Sequence, residues 1–499
     1  MKAALPLLFL VATVSAEVTF EKRTLSEYYF CDGINYGDFN GDGHADIAVA
    51  NDATEVSLYR NILLISPVIT SLSPASGPIS TTVTITGQNF NATANQNVVF
   101  FGATQATVTG ATSTSLTVIV PYGANYQYLS VTNLGYNSTG YSAAPFVVTF
   151  PSNGITDFVN DLTLSPTSAS YAALGDLNGD GKPDLAVATT SSIIVYGNTS
   201  NAGGILSFSS TYSNANGDNG FVSISDVDGD GKMDVVTLRS TGAANIFRNT
   251  TVGNSLSFAS PVSFSTPQTA NENVQLADFD GDGRPDIMVG GTISTVYWYR
   301  NQSVSGTVSF GAQQSLAISG AGNTDRITVG DLDADGKPDL VVSYALGLVY
   351  LVRNTSSVGA ISFMQLAPAL SPSGGSGGSA WGVSIGNFDG DNRPDLAVRA
   401  FTGGTVSFFL NGSSTGSISF SSSPSLVVTT GVSTAQKSNN VSIGDFDGDG
   451  KIDLAVSNSG DDTMSVLRNI SIGIGSLSFT NRLNYTTGDS PANLVVGDM

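Results

Sequence analysis

The chain has 499 residues, 41% of them apolar and 12% charged, which suits several globular modules rather than one domain. Its 40 Asp and Glu against 19 Lys and Arg give a formal net charge of −21. That charge excludes a phosphate-tracking nucleic-acid binder and electrostatic attachment to anionic membranes, and the single cysteine, Cys31, excludes a disulfide framework.

The chain opens with MKAALPLLFLVATVSA. Lys2, the apolar run Leu5 to Val14 and the small residues around Ala16 predict a secretory signal peptide over 1–16. The expected location is therefore secreted, extracellular or cell-surface. No later segment reaches the roughly 18 unbroken apolar residues of a transmembrane helix.

From residue 17 onward, β-branched residues broken by Gly, Asn and Ser predict short strands and turns, an all-β chain. One motif recurs seven times, as GDFNGDGHADIAVA from Gly37 and GDFDGDGKIDLAVS from Gly444 illustrate. The other copies start at Gly175, Ser225, Ala277, Gly330 and Gly386. Around each copy lie the same parts: a strand with a Phe, a strand into the acidic loop, a strand out of it, and a fourth strand closing on an Asn. The closing residues are Asn61, Asn198, Asn249, Asn301, Asn354, Asn411 and Asn469. Four strands per repeat of about 50 residues predict the blade of a β-propeller.

The expected organisation is a first blade over 17–66, an inserted domain over 67–149, six blades over 150–477 and a further, truncated repeat over 478–499. Two ring memberships follow. The first seven repeats close a seven-bladed ring from which the insert projects. Alternatively, the ring takes the last seven and leaves the first as a remnant. The chain reaches the first position of an eighth loop at Asp498 and reads as a fragment.

The loops carry the chemistry. Oxygens recur at positions one, three, five and nine, with glycine at four and six. Position seven offers its backbone carbonyl. Ca²⁺ takes six to eight oxygen ligands of this kind, and glycine at six permits the sharp turn around the ion. The predicted metal ligands of the first loop are Asp38, Asn40, Asp42, His44 and Asp46, and of the second Asp176, Asn178, Asp180, Lys182 and Asp184. The third and fourth offer Asp226, Asp228, Asp230, Lys232, Asp234 and Asp278, Asp280, Asp282, Arg284, Asp286. The fifth and sixth offer Asp331, Asp333, Asp335, Lys337, Asp339 and Asn387, Asp389, Asp391, Arg393, Asp395. The seventh offers Asp445, Asp447, Asp449, Lys451 and Asp453.

The expectation is about one Ca²⁺ per loop, weakest where Asn387 and Asn392 replace an aspartate and a glycine. A loop closing on Asp at position nine between strands is not an EF-hand, which ends on Glu at twelve between helices.

Nothing in the chain forms a nucleophile–base pair, because the sole histidine, His44, sits at a backbone-ligand position. Trp298, Trp381 and Tyr122 are of a type that stacks on sugars, although core or rim packing is the commoner role. The connection between the first and second strand of each repeat varies most in length. Its longest examples, Gln365–Ala380 and Ser421–Asn439, are candidate binding loops.

At these residues the chain resembles the FG-GAP/VCBS repeats of integrin α-like propellers. The insert, through PVITSLSPASG and TVTITGQNF, resembles an IPT/TIG immunoglobulin-like domain. The resemblance implies a non-catalytic adhesion or ligand-binding module for protein or glycan, with a monomeric propeller. Some polysaccharide lyases also use Ca²⁺-loop propellers, so a carbohydrate-active enzyme, or an accessory domain of one, is the alternative.

Overall fold

The structure is a computed structural model. It describes residues 18–23, 31–37, 39, 46–51, 55–63 and 66–497, except 125, 137, 150–157, 202–204, 216–218, 240–241, 268–272, 291–293, 320–323, 345–346, 373–379, 401–403, 431–440 and 492. The expected leader, Asp38, Asn40, Asp42, His44 and Asp498 lie outside these residues, as do the side chains of Cys31, Asp46 and Trp381. The chain forms two compact units, Met1–Ile65 and Ser66–Met499.

The N-terminal unit holds one antiparallel four-stranded sheet, ordered Val18–Arg23, Glu55–Leu63, Asp46–Asn51, Cys31–Gly37. Phe20 pairs with Asn61 in it.

The second unit contains six four-stranded antiparallel sheets, spanning residues 169–214, 219–265, 274–317, 324–365, 380–429 and 441–486, here called ring blades one to six. Strands run in sequence order across each sheet. The first strands of successive blades touch one another, so they line the axis as in a β-propeller. The middle strands are buried on both faces, as in Asp339–Tyr344 and Asp453–Asn458. This explains why they read DLVVSY and DLAVSN, continuous apolar runs rather than alternating ones. The outermost strands, such as Val262–Ser265 and Leu483–Thr486, are largely exposed.

The core lies between blades. Met288 and Trp298 of blade three pack with Ile327, Leu340 and Val342 of blade four in one cluster. Trp298 is thus a core residue, its ring edge-on to Phe363 and its Nε1 donating to Gln314. Tyr122, by contrast, is exposed.

In the ring, blade and repeat are out of phase by one strand. Each Phe strand belongs to the sheet of the loop before it. Phe208 pairs with Asn198, Phe363 with Asn354, and Phe479 bridges to Asn469. Residues 479–486, expected to open a truncated repeat, thus supply the outer strand of blade six.

The insert is an all-β domain with one core, including Val83, Ile85, Phe101, Leu116 and Val131. Its strand Asn97–Phe101 is buried at every position. Val99 and Phe101 face the insert's own core, whereas Val98 and Phe100 join Leu177, Met233 and Phe247 of the ring. The insert therefore packs onto the loop face of the ring and does not simply project from it.

Candidate metal centre

Each acidic loop of the ring joins the innermost strand of a blade to the next strand. In ring blade three, Asp278 accepts from Gly281 and Asp282 through Oδ1, at 2.8 and 3.0 Å, and from Gly283 through Oδ2 at 2.7 Å. Gly281 and Gly283 have φ of 74° and 82°, left-handed values that glycine adopts without a side-chain clash. Ala334 and Asn392, where glycine is replaced, keep φ at 55° and 67°. The departures seen in the sequence therefore leave the turn intact.

Position nine is the keystone. Asp286 accepts the Phe279 N–H on Oδ2 at 3.0 Å and the Asn301 N–H on Oδ1 at 2.7 Å. The same pair of bonds recurs at Asp184, Asp339, Asp395 and Asp453.

Among the described residues, five loops bring three carboxylates together, with one oxygen from each within 4.8 Å of the others. These are Asp226, Asp228 and Asp230; Asp278, Asp280 and Asp282; Asp331, Asp333 and Asp339; Asp389, Asp391 and Asp395; and Asp445, Asp447 and Asp453. The loop at Asp176 has Asn178 at position three and is not among these triads. The loop at Asn387 still gathers three aspartates despite its neutral first position.

Burial lifts several of the loop carboxyls, with repulsion between neighbouring carboxylates adding to it. Burial raises Asp226 to about 7, with the negative charge of Asp230 adding to it. Burial likewise raises Asp339 and Asp453 to about 7, against backbone N–H bonds that pull the other way. Closely spaced, buried, all-oxygen donors fit a hard divalent cation, which favours the ionised form that burial opposes.

The sequence did not reveal a set of arginines over the loops. Arg300 bonds Asp280 and Asp282, each at 2.5 Å, and Arg353 bonds Asp333 and Asp335, each at 2.7 Å. Arg468 pairs with Asp447, and Arg248 approaches Asp228 at 4.0 Å. All four immediately precede a closing Asn; that Arg-Asn pair was the available signal. The position-seven side chains take different partners: Lys182 and Lys337 donate to the Ser200 and Ser356 carbonyls, while Lys451 reaches Asp449.

The insert touches the first loop position directly. Asp176 N–H donates to the Ala103 carbonyl at 2.8 Å, and Asn387 N–H to the Tyr126 hydroxyl at 3.4 Å. Burial pushes the Tyr126 phenol up to about 12. A cleft of about 380 Å³ lies between Phe100 and Gln105 of the insert and the loops at Asp176 and Asp230.

This fold and these loops define a β-propeller with acidic loops and a β-domain seated on them. Residues 176–237, 226–289, 278–342 and 387–456 match the FG-GAP-like repeat, and 67–148 match the IPT/TIG domain. The chain is thus an FG-GAP-repeat propeller protein carrying an IPT/TIG domain. No curated protein matches it.

Among solved structures it is similar to an Agrocybe aegerita lectin that recognises non-reducing terminal N-acetylglucosamine. Identity is 17%, with 73% of this chain and 89% of that one covered and a TM-score of 0.45. It is also similar to an auxiliary nutrient binding protein from Bacteroides thetaiotaomicron, at 12% identity, 81% and 95% coverage and a TM-score of 0.31. Neither likeness bears on ligand or chemistry.

Proposed function

We propose that this protein is a secreted, Ca²⁺-binding propeller that acts as a non-catalytic adhesion or ligand-binding module. The observation that carries the reading is the set of five aspartate triads, each with carboxylate oxygens within 4.8 Å. The ligands of each ion are the aspartates of its loop, with the position-seven carbonyl completing the cage. Bound ions neutralise part of the loop charge and rigidify the hairpins beneath the insert.

The keystone carboxylates have both oxygens engaged by backbone N–H groups, which leaves them structural rather than poised for proton transfer. A protein or glycan ligand is then held by polar loops and the cleft beside Gln105. On this reading the ring has seven positions.

Two measurements test the proposal. Calcium titration by calorimetry should give at least five sites per chain, up to about one per loop, and no heat of binding would overturn the ion assignment. A polysaccharide panel should show retention without product release; released oligosaccharide would favour a carbohydrate-active enzyme instead.

A further inference from the structure

Arg248, Arg284, Arg300, Arg353, Arg393 and Arg468 all approach aspartates of the acidic loops. Arg399 does not. It lies on the second strand of ring blade five, Asp395–Ala400, towards the end away from the loop. Its cross-strand partner is Gly382, whose missing side chain leaves space beside the guanidinium arm. The residues in the same register in blades one, two and four, opposite Tyr171, Phe221 and Arg326, are Ala188, Leu238 and Ser343. Blades three and six carry Gly290 and Ser457 at the equivalent place. A charge at this position is therefore peculiar to blade five.

Arg399 is 0% exposed. It reaches into blade six, where Nη1 donates to the Ser457 carbonyl and Nη2 to Asn458 Oδ1 at 3.3 Å. Asn458 Nδ2 donates in turn to the Ser465 hydroxyl at 2.7 Å, and that hydroxyl donates to the Thr430 carbonyl at 2.7 Å. Every one of these partners is neutral. Burial pulls the Arg399 pKa down to about 10, with no neighbouring carboxylate to hold it up, so at neutral pH the group is still a cation. The connections that flank these strands, 373–379, 401–403 and 431–440, contain no acidic residue.

Two buried polar atoms at this contact have no hydrogen-bond partner: Arg399 Nε and Ser457 Oγ. Both carry a hydrogen to donate, and they belong to the two residues that the Nη1–carbonyl bond joins. A buried charge surrounded by neutral groups is costly unless a counter-charge is present. A water molecule would accept both hydrogens, but it leaves the charge uncompensated and has two hydrogens of its own to place. An anion meets both needs. Only two donors are free, and Asn458, Ser465 and Thr430 around them are fully buried, so the anion is small.

We propose that Arg399 and Ser457 hold a chloride ion between ring blades five and six, at the end of the blades away from the acidic loops. The ion accepts from Arg399 Nε–H and Ser457 Oγ–H and ties the blade-five guanidinium to blade six. It is a structural anion, and this inference does not depend on the calcium assignment.

Thermal unfolding of the full chain in sodium chloride and in sodium methanesulfonate, at equal ionic strength and fixed calcium, tests the proposal. Methanesulfonate is too bulky for a buried two-donor site. The melting temperature should be several degrees higher in chloride, and the gain should grow with chloride concentration as linkage requires. Ser457→Ala should raise the midpoint of the chloride titration about tenfold, the equivalent of one lost hydrogen bond to a charged group. Arg399→Gln should abolish the difference between the two salts. Crystals of the unaltered chain grown in bromide provide a measurement that needs no variant, since an anomalous peak should stand beside Arg399 Nε. Equal melting in the two salts, a chloride effect unchanged in Arg399→Gln, or bromide peaks confined to the surface would overturn the proposal.

Discussion

Arg300 holds Asp280 at 2.5 Å from Nε to Oδ2, and the N–H of Gly359 in the next blade donates to the same oxygen at 3.1 Å. One carboxylate thus joins a cation of its own blade to the backbone of its neighbour. The guanidinium also competes with any divalent ion for the oxygens of Asp280 and Asp282.

Replacing Arg300 separates these roles. Arg300→Ala should lower the melting temperature in chelator, because buried Asp280 and Asp282 lose their counter-charge. The same variant should bind Ca²⁺ more tightly, roughly tenfold for about 1.4 kcal/mol of relieved competition. Differential scanning calorimetry with and without calcium checks both signs.

The closing asparagines predict unequal costs. Asn354→Ala removes donors to the Phe279 and Pro338 carbonyls and the acceptor for the Ser356 N–H. The expected loss is roughly 2–4 kcal/mol, since buried groups are left unsatisfied. Asn198→Ala, which breaks no bond to another blade, should cost about half as much. Denaturant unfolding of the two variants compares them.

Seating of the IPT/TIG domain is tested at Gly283. A Cβ there would stand 2.0 Å from Ser138 Oγ and 2.9 Å from the Thr139 nitrogen, whereas at Gly336 it would meet nothing within 4 Å. Both have a left-handed φ, 82° and 84°, so the backbone cost of alanine, about 1 kcal/mol, is shared. Gly283→Ala should in addition expose the insert to limited proteolysis, and Gly336→Ala should not.

Stability should depend on pH in a direction set by the loops. Burial raises Asp339 and Asp453 to about 7 in the metal-free protein, against an unfolded value near 3.9. Between about pH 4 and 7 the folded state then binds more protons than the unfolded one. Their contribution is present below that window and is lost as pH rises through it. In chelator, the melting temperature should therefore fall from pH 5 to pH 8. In millimolar calcium the trend should reverse, because the ion requires ionised carboxylates.

The acidic loops and the four-strand unit were legible in the sequence because both are local. Ligand spacing, turn glycines and apolar runs all lie within about 25 residues of Asp445 or its equivalents. The phase of the blades was not legible, because Asn198 and Phe208 keep the same short separation in sequence whichever repeat they are assigned to. The seat of the IPT/TIG domain was hidden too, although Val98 to Phe101 carried a trace. Four consecutive apolar residues in an otherwise alternating domain mark a strand buried on both faces. Arg300 and Arg353 could not be placed over Asp280 and Asp333 from spacing alone, since that contact depends on how the fourth strand returns beside the loop.

The most direct test of the calcium assignment is thermal unfolding of the full chain in chelator and in millimolar Ca²⁺, with Mg²⁺ as control. Binding to the aspartate triads predicts a melting temperature several degrees higher in calcium, growing with its concentration as linkage requires, and little change in magnesium. An identical melting curve in chelator and in calcium would contradict it.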